Sequence, residues 1–137
     1  MADYLEVWKT GEVTVGLKTA GTQVILERTR GHKQRKKSVI IERDRFLSLV
    51  EAVLHALRTQ PAGQLQAPLP IGMVDGGCGI LSVGWEPYYF GRCNALVIRG
   101  GVGHCLAVEQ KDTREFALWM IRLIVVLSWS SEQSTAE

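Results

Sequence analysis

The first half of the chain alternates between apolar and polar residues over three short segments that are rich in β-branched side chains. This period of two predicts β-strands at Glu12–Lys18, Gln23–Arg30 and Ser38–Glu42. From Asp44 onward the apolar positions recur at helical spacing, so we predict a helix that is capped by Asp44 and ends before Pro61. The first half therefore predicts a small sheet followed by one helix.

The second half repeats this order of elements. Period-two segments predict strands at Ile80–Trp85, Asn94–Arg99 and His104–Glu109, and the first two are separated by a predicted turn at Glu86–Gly91. The sequence Asp112-Thr-Arg-Glu115 is typical of a capping box and predicts the start of a second amphipathic helix.

A short motif links the two halves, because Val13-Thr-Val-Gly-Leu17 is matched by Leu81-Ser-Val-Gly-Trp85 at the corresponding strand. We interpret this as a diverged tandem repeat. A segment with three prolines lies between the halves and predicts a semi-extended linker. The predicted order is a first repeat, the linker, a second repeat and a polar tail, at residues 1–60, 61–72, 73–130 and 131–137.

The predicted fold class is α+β, with two tandem ββ(β)βα repeats. A fourth strand in each repeat has one candidate segment, Leu5–Trp8 in the first and Gly72–Val74 in the second. Both predicted helices are apolar on more than one side. We therefore expect them to pack on each other, between two curved antiparallel sheets, in the manner of a pseudo-dimer.

Charge is placed unevenly along this pattern. The net charge is only +2, but residues 1–60 hold eleven Lys and Arg against seven Asp and Glu, so the positive charge is concentrated in the first repeat. The chain has no apolar run long enough to span a bilayer and no secretory signal pattern. We expect a soluble intracellular protein, in the nucleus if the source is eukaryotic or viral and otherwise in the cytoplasm.

The cysteines and histidines do not form a recognisable site. Cys78, Cys93 and Cys105 are an odd number without a Cys-x-x-Cys pair, so we expect reduced thiols, no metal and no cofactor. His104 adjoins Cys105, but an orienting acid is not evident, and His32 and His55 are similarly isolated. We therefore expect neither catalysis nor a small-molecule substrate.

The order of elements resembles a superfamily of single-stranded-DNA-binding regulators that includes positive cofactor four, Whirly proteins and Pur-alpha. The first half is similar to the positive-cofactor domain, with a basic loop at His32–Lys37 before the strand Ser38–Glu42. The segment Glu115-Phe-Ala-Leu-Trp-Met120 is similar to the final helix of Whirly proteins. The resemblance implies a Whirly-like pseudo-dimer that binds single strands and assembles into homo-oligomers, either dimers or tetramers.

The candidate binding residues are cations and aromatic rings. Six cations fall within the ten residues Arg28–Lys37. Cations hold the phosphates of a single strand, while aromatic rings stack on its bases. The predicted nucleic-acid-binding set consists of Arg28, Arg30, Lys33, Arg35, Lys36, Lys37, Lys18, Trp8, Trp85, Tyr88 and Tyr89.

The function predicted from these residues is binding of single-stranded nucleic acid, preferably DNA and with low sequence specificity, in transcription, replication or repair. Two alternatives stay open. One is an RNA-binding or annealing protein of the same fold, and the other is a protein-interaction module that docks an acidic partner. A basic run alone is also compatible with a solvated hairpin or a nuclear localisation signal.

Overall fold

The computed structural model has an α+β fold, in which two antiparallel four-stranded sheets are each followed by a helix. Its strands and helices follow each other in the order that the sequence predicts, with the same arrangement in both halves. The structure describes residues 4–11, 13–31, 33–89, 93–101 and 104–135.

The first sheet contains four strands in sequence order, each antiparallel to its neighbour. These strands are β1 (Glu6–Thr10), β2 (Val13–Ala20), β3 (Gln23–Arg30) and β4 (Lys33–Glu42). A 3₁₀ turn at Arg43–Arg45 leads into helix α1 (Phe46–Arg58).

The second sheet has the same order and the same antiparallel pairing. Its strands are β5 (Leu69–Asp75), β6 (Ile80–Tyr89), β7 (Cys93–Arg99) and β8 (Cys105–Glu109). A 3₁₀ turn at Gln110–Asp112 precedes helix α2 (Thr113–Thr135), which begins where the sequence predicts a helix start. None of the helices in the described part of the chain is long and apolar enough to cross a bilayer.

Several predicted boundaries differ from the structure. Strand β5 begins at Leu69, inside the predicted linker, and it tolerates Pro70 because it is the outer strand of its sheet. Strand β6 continues to Tyr89, into the predicted turn, and Pro87 is accommodated where the register with β7 shifts. Helix α2 continues to Thr135, into the predicted tail.

The prediction that Asp44 caps the first helix was wrong. Asp44 lies inside the 3₁₀ turn, and Arg45 occupies the cap position of α1. The chain therefore leaves β4 through one tight turn before the helix starts at Phe46. The second repeat also has a 3₁₀ turn between its last strand and its helix. There the Thr113 hydroxyl donates a 3.0 Å hydrogen bond to the carbonyl oxygen of Glu109.

Alternate residues of each central strand point into a shared core. We call this side the inner face of each sheet and the opposite side its outer face. In the first sheet, the fully buried residues of the inner face are Val15, Leu17, Val24, Leu26, Val39 and Ile41. The inner faces of both sheets and the buried sides of both helices form one hydrophobic cluster. The two repeats are therefore separate in sequence but not in their core.

Each helix contacts the sheet of the other repeat. Helix α1 contacts β5 and β6 of the second sheet, while α2 contacts β1 of the first sheet as well as β8 of its own. The indole of Trp8 on β1 lies 5.4 Å from the ring of Phe116 and 6.5 Å from that of Trp119, both on α2. Helices α1 and α2 also contact each other, as the sequence predicts.

Candidate nucleic-acid interface

The β3–β4 hairpin has an apolar half and a cationic half. Near the helices, Val24 and Leu26 pair with Ile41 and Val39, and all four are buried. Farther out, Arg28 pairs with Lys37 and Arg30 pairs with Lys33. We call the half of the hairpin next to its turn, residues 28–37, the cationic end of the hairpin.

More of the cationic end is β-strand than the sequence predicts, and its pairing register shifts between Arg28 and Arg30. The expected basic loop is largely strand, because β4 starts at Lys33. The chain reverses at Gly31, whose φ of 58° is accessible to glycine at little cost. His32 lies outside the described residues, and for Lys33 and Arg35 only the strand position is described.

In the register of this hairpin, residues with positive side chains are paired with each other. Arg28 lies directly opposite Lys37, and Arg30 directly opposite Lys33. Like charges at directly opposed positions of an antiparallel pair are destabilising. The pairing register shifts between these two pairs, so they are separated along the hairpin.

The cations are divided between the two faces of the sheet. Arg28 and Arg30 share the inner face, because they continue the alternation of Val24 and Leu26. Arg28 is half-buried, whereas Arg30 is exposed. Lys36 and Lys37 are both exposed and are adjacent in β4, so they point to opposite faces.

On the outer face, Lys18 is engaged by an acidic partner. Its Nζ lies 3.1 Å from a carboxylate oxygen of Glu27, which also accepts a 2.9 Å hydrogen bond from the hydroxyl of Tyr4. Burial raises the pKa of Glu27, but the hydrogen bonds from Lys18 and Tyr4 and the charge of Lys36 outweigh burial, so the pKa lies below its ordinary value. Glu27 therefore stays ionised and offsets part of the positive charge.

The aromatic ring nearest to these cations is Tyr4, which the predicted set of binding residues missed. Its ring lies over Gly16 on the outer face, in the space that a Cβ atom at Gly16 would need. Burial, followed by the hydrogen bond and the charge of Glu27, raises the pKa of its hydroxyl. A glycine in the middle of a strand was the available signal, since it often marks a close approach of another group.

Two of the predicted stacking residues lie in the core. Trp85 is fully buried, and its Nε1 donates a 3.1 Å hydrogen bond to the carbonyl oxygen of Ala56. Trp8 is 9% exposed and packs against Phe116 and Trp119. The bases of a nucleic acid therefore cannot stack on Trp8 or Trp85 in this conformation. Their position in alternating strands gave no sign of which face would be covered.

The tyrosines Tyr88 and Tyr89 are described only by their place in the backbone. They end β6, where Tyr89 pairs with Cys93 of β7. They therefore belong to the second sheet, whereas the cationic end and Lys18 belong to the first. The predicted turn at Glu86–Gly91 is wrong for Glu86–Tyr89, which belong to strand β6, and residues 90 and 91 lie outside the described part of the chain.

The inner side of the cationic end adjoins the second repeat. Arg30 lines a cleft of about 270 Å³ together with Trp8, Lys111, Glu109 and Asp112. Two carboxylates therefore share this cleft with two cations. Burial and the charge of Glu109 raise the pKa of the nearby Cys93 thiol, and the charges of Lys111 and Arg30 oppose that rise. The inner side is accordingly less positive than its Arg and Lys residues suggest.

No protein-family model, curated protein or solved structure matches this chain. Among the side chains that the structure describes at the cationic end, the exposed cations are Arg30, Lys36 and Lys37, and Lys18 reaches the same region through Glu27.

The second sheet presents a different outer surface. Arg99 on β7 is held by Glu86 on β6 through two hydrogen bonds of 2.8 and 2.7 Å. This paired geometry neutralises the cation locally. Within the described residues, no group of three or more His, Cys, Asp and Glu is placed to hold a metal ion, and the three cysteines form no disulfide.

Proposed function

We propose that this chain binds single-stranded nucleic acid, with a preference for DNA and low sequence specificity, through the cationic end of the β3–β4 hairpin. The observation that supports this proposal is the concentration of positive charge there, since six Lys and Arg fall within residues 28–37 and the side chains of Lys36 and Lys37 are exposed. A polyanion is attracted to cations that are concentrated in this way. Phosphates along a strand provide such a charge at regular intervals.

The outer face of the first sheet offers a path for the rest of the strand. Lys36 stands at the cationic end of this face, and Lys18 and the exposed Lys9 lie on it. Between them, the ring of Tyr4 and the 46% exposed side chain of Val7 provide apolar surface. Phosphates would follow the lysines while unpaired bases rest on Tyr4 and Val7.

The contacts between the repeats support a Whirly-like pseudo-dimer as the finer description of the fold. In such an arrangement two sheet-helix units pack on each other through their helices. Here α1 and α2 contact each other, α1 also contacts β5 and β6, and α2 contacts both β1 and β8. The helices cover the inner faces, so the outer face of the first sheet remains available for a ligand.

A preference for DNA over RNA depends on a single chemical group of the ligand. Contacts to phosphates and to base faces are shared by both nucleic acids, and only the 2′-hydroxyl separates them. Competition between matched DNA and RNA oligonucleotides decides this point. A protein of this kind would act in transcription, replication or repair, where unpaired DNA is exposed.

The decisive experiment compares two double variants by fluorescence anisotropy with labelled oligo-dT over a range of salt concentrations. In Lys36→Ala/Lys37→Ala we expect at least a tenfold loss of affinity, and a salt slope that is shallower by about 0.7 for each lost phosphate contact. The control, Arg45→Ala/Arg58→Ala, removes two exposed arginines outside the hairpin. It should bind nearly as the wild type does.

Two results would overturn the proposal. One is an equal effect of both double variants, which would show that overall charge rather than the hairpin determines binding. The other is a wild-type protein that ignores single strands at low salt but binds an acidic peptide such as polyglutamate. That second result would support the alternative in which the hairpin docks an acidic protein.

A further inference from the structure

Helix α2 is apolar on two opposite sides. One side enters the core through residues that are at most 4% exposed, namely Phe116, Met120, Leu123 and Leu127. The other side exposes four large apolar side chains, Leu118 by 59%, Ile121 by 40%, Val125 by 68% and Trp129 by 63%. We call this second set the α2 stripe.

The α2 stripe is continuous. Its residues are three or four positions apart, so they fall on one face of the helix along three successive turns. Together they offer on the order of 400 Å² of apolar surface, about half of what each partner covers in a stable complex. Scattered apolar residues are ordinary on a protein surface, whereas a continuous apolar patch of this size is often functional.

The nearest cation is held away from the stripe. Arg122 follows Ile121 in the helix, and its Nε lies 2.8 Å from a carboxylate oxygen of Glu6 on β1. This ion pair directs the guanidinium to the side of the helix that faces the first sheet. The Arg122 side chain is 69% exposed and borders the stripe, so a partner packs beside this ion pair and not over it.

We propose that the α2 stripe pairs with the same stripe of a second copy of this chain, antiparallel, about a twofold axis that crosses the stripe at the level of Leu123. A twofold contact requires a self-complementary surface. Around this axis Ile121 lies opposite Val125 of the other copy, and Leu118 lies beside Trp129. Each apolar residue of the stripe therefore meets an apolar residue of the other copy.

Charge placement agrees with the antiparallel direction. Arg114 precedes the stripe in α2, and Glu132 follows it at the same distance from Leu123 in the sequence. An antiparallel pair brings these two helix positions of opposite charge to the same level. It also sets the positive end of one helix dipole beside the negative end of the other.

A second copy fits this stripe better than a membrane surface does. Helices that lie on membranes carry a polar face rich in Lys and Arg. The polar positions around the stripe instead include Arg114 beside Glu115, and Arg122 is already paired with Glu6. The proposed dimer would carry two cationic hairpins, but its formation does not depend on nucleic acid.

Sedimentation velocity of the full chain, without nucleic acid, tests the proposal. We expect the wild type to dimerise with rising concentration, and Val125→Glu to stay monomeric because it buries a charge in the contact. The matched control is Met73→Glu, which changes a 74% exposed apolar residue on β5. It should dimerise as the wild type does, and circular dichroism should show that both variants are folded.

Disulfide trapping tests the direction of the helices and does not require a disruptive substitution. In a Cys78→Ser background, which removes an exposed thiol, a mixture of Ile121→Cys and Val125→Cys chains should cross-link preferentially as the mixed pair. A monomeric wild type, a dimer that survives Val125→Glu, or equal loss of dimer in Met73→Glu would each overturn the proposal. So would a monomer that binds phosphatidylcholine vesicles through α2.

Discussion

The indole Nε1 of Trp85 donates a 3.1 Å hydrogen bond to the carbonyl oxygen of Ala56, which ties the second sheet to the first helix. Trp85 occupies the position of Leu17 in the tandem repeat, and both side chains are fully buried. The larger residue in the second repeat therefore fills space beneath α1. It contributes to the contact between the two repeats rather than to a binding surface.

We expect Trp85→Phe to lower the free energy of unfolding by about 1–2 kcal/mol, through the lost hydrogen bond and a small cavity. Ala56 keeps its contact with the backbone N–H of Thr59, so its carbonyl is not left unsatisfied. Urea denaturation measures the change. Affinity for oligo-dT should be unaffected, and a selective loss of binding without a loss of stability would contradict this assignment.

The order of elements could be predicted from the sequence because it depends on local patterns. The alternation around Val15 and Val24 and the helical spacing after Phe46 are the same patterns that the fold buries. The α+β class and the presence of two antiparallel sheets with helices are confirmed. Strand β5 was harder to predict, since Pro70 and Gly72 weaken a strand pattern unless the strand lies at an edge.

The placement of side chains in the candidate site was less predictable. Whether Trp8 or Tyr4 lies on the covered face depends on where α2 packs, and α2 belongs to the other repeat. A single sequence does not reveal that contact between repeats. The cationic run was visible, but its engagement with Glu27 and its proximity to Glu109 depend on sheet register and on contacts between repeats.

We expect Glu27→Gln to strengthen binding of single strands. The substitution removes the carboxylate that holds Lys18 and acts on Lys36, so the outer face becomes more positive. Affinity for oligo-dT should rise about threefold at low ionic strength, and the gain should fade at high salt because the added attraction is screened. An unchanged affinity at low salt would place the bound strand away from this face.

The same variant should change how stability depends on pH. The pKa of Glu27 is lower in the folded protein than its ordinary value, so its contribution is present at neutral pH and is lost as the pH falls through the folded pKa. We expect Glu27→Gln to cost about 1 kcal/mol at neutral pH. Urea denaturation at neutral and at acid pH should show this difference closing in acid. A constant difference would mean that packing rather than charge is responsible.

The contact between Tyr4 and Gly16 predicts a coupled pair. A Cβ atom at Gly16 would overlap the Tyr4 ring, so we expect Gly16→Ala to displace the ring and cost about 1–2 kcal/mol. In a Tyr4→Ala background the same change should cost little, and a double-mutant cycle by urea denaturation measures the coupling.

Gly84 provides the matched control for that cycle, because it is the equivalent glycine of the second repeat. There a Cβ atom would lie 2.8 Å from the backbone oxygen of Leu69. Gly84→Ala should therefore be destabilising by a similar amount with or without Tyr4. Equal costs for Gly16→Ala in both backgrounds would show that the ring does not occupy this space.

Asn94 forms hydrogen bonds with the segment that connects the two repeats. It is 5% exposed, and its Nδ2 donates to the carbonyl oxygen of Gly63 at 2.9 Å and to the side-chain oxygen of Gln110 at 3.0 Å. Its Oδ1 accepts 3.0 Å hydrogen bonds from the backbone N–H of Leu65 and from the amide of Gln64. One side chain therefore fixes the irregular segment between α1 and β5 against the second sheet.

We expect Asn94→Ala to cost about 2–4 kcal/mol, because it leaves several partly buried polar groups without their partner. Asn94→Asp should be at least as destabilising at neutral pH, since its carboxylate would face the carbonyl oxygen of Gly63. Protonation turns that carboxylate into a donor, so acid should narrow the gap between Asp and Asn. Urea denaturation measures stability, and limited proteolysis should cut the segment 61–68 faster in both variants. If proteolysis there stayed slow, other contacts would be holding the segment.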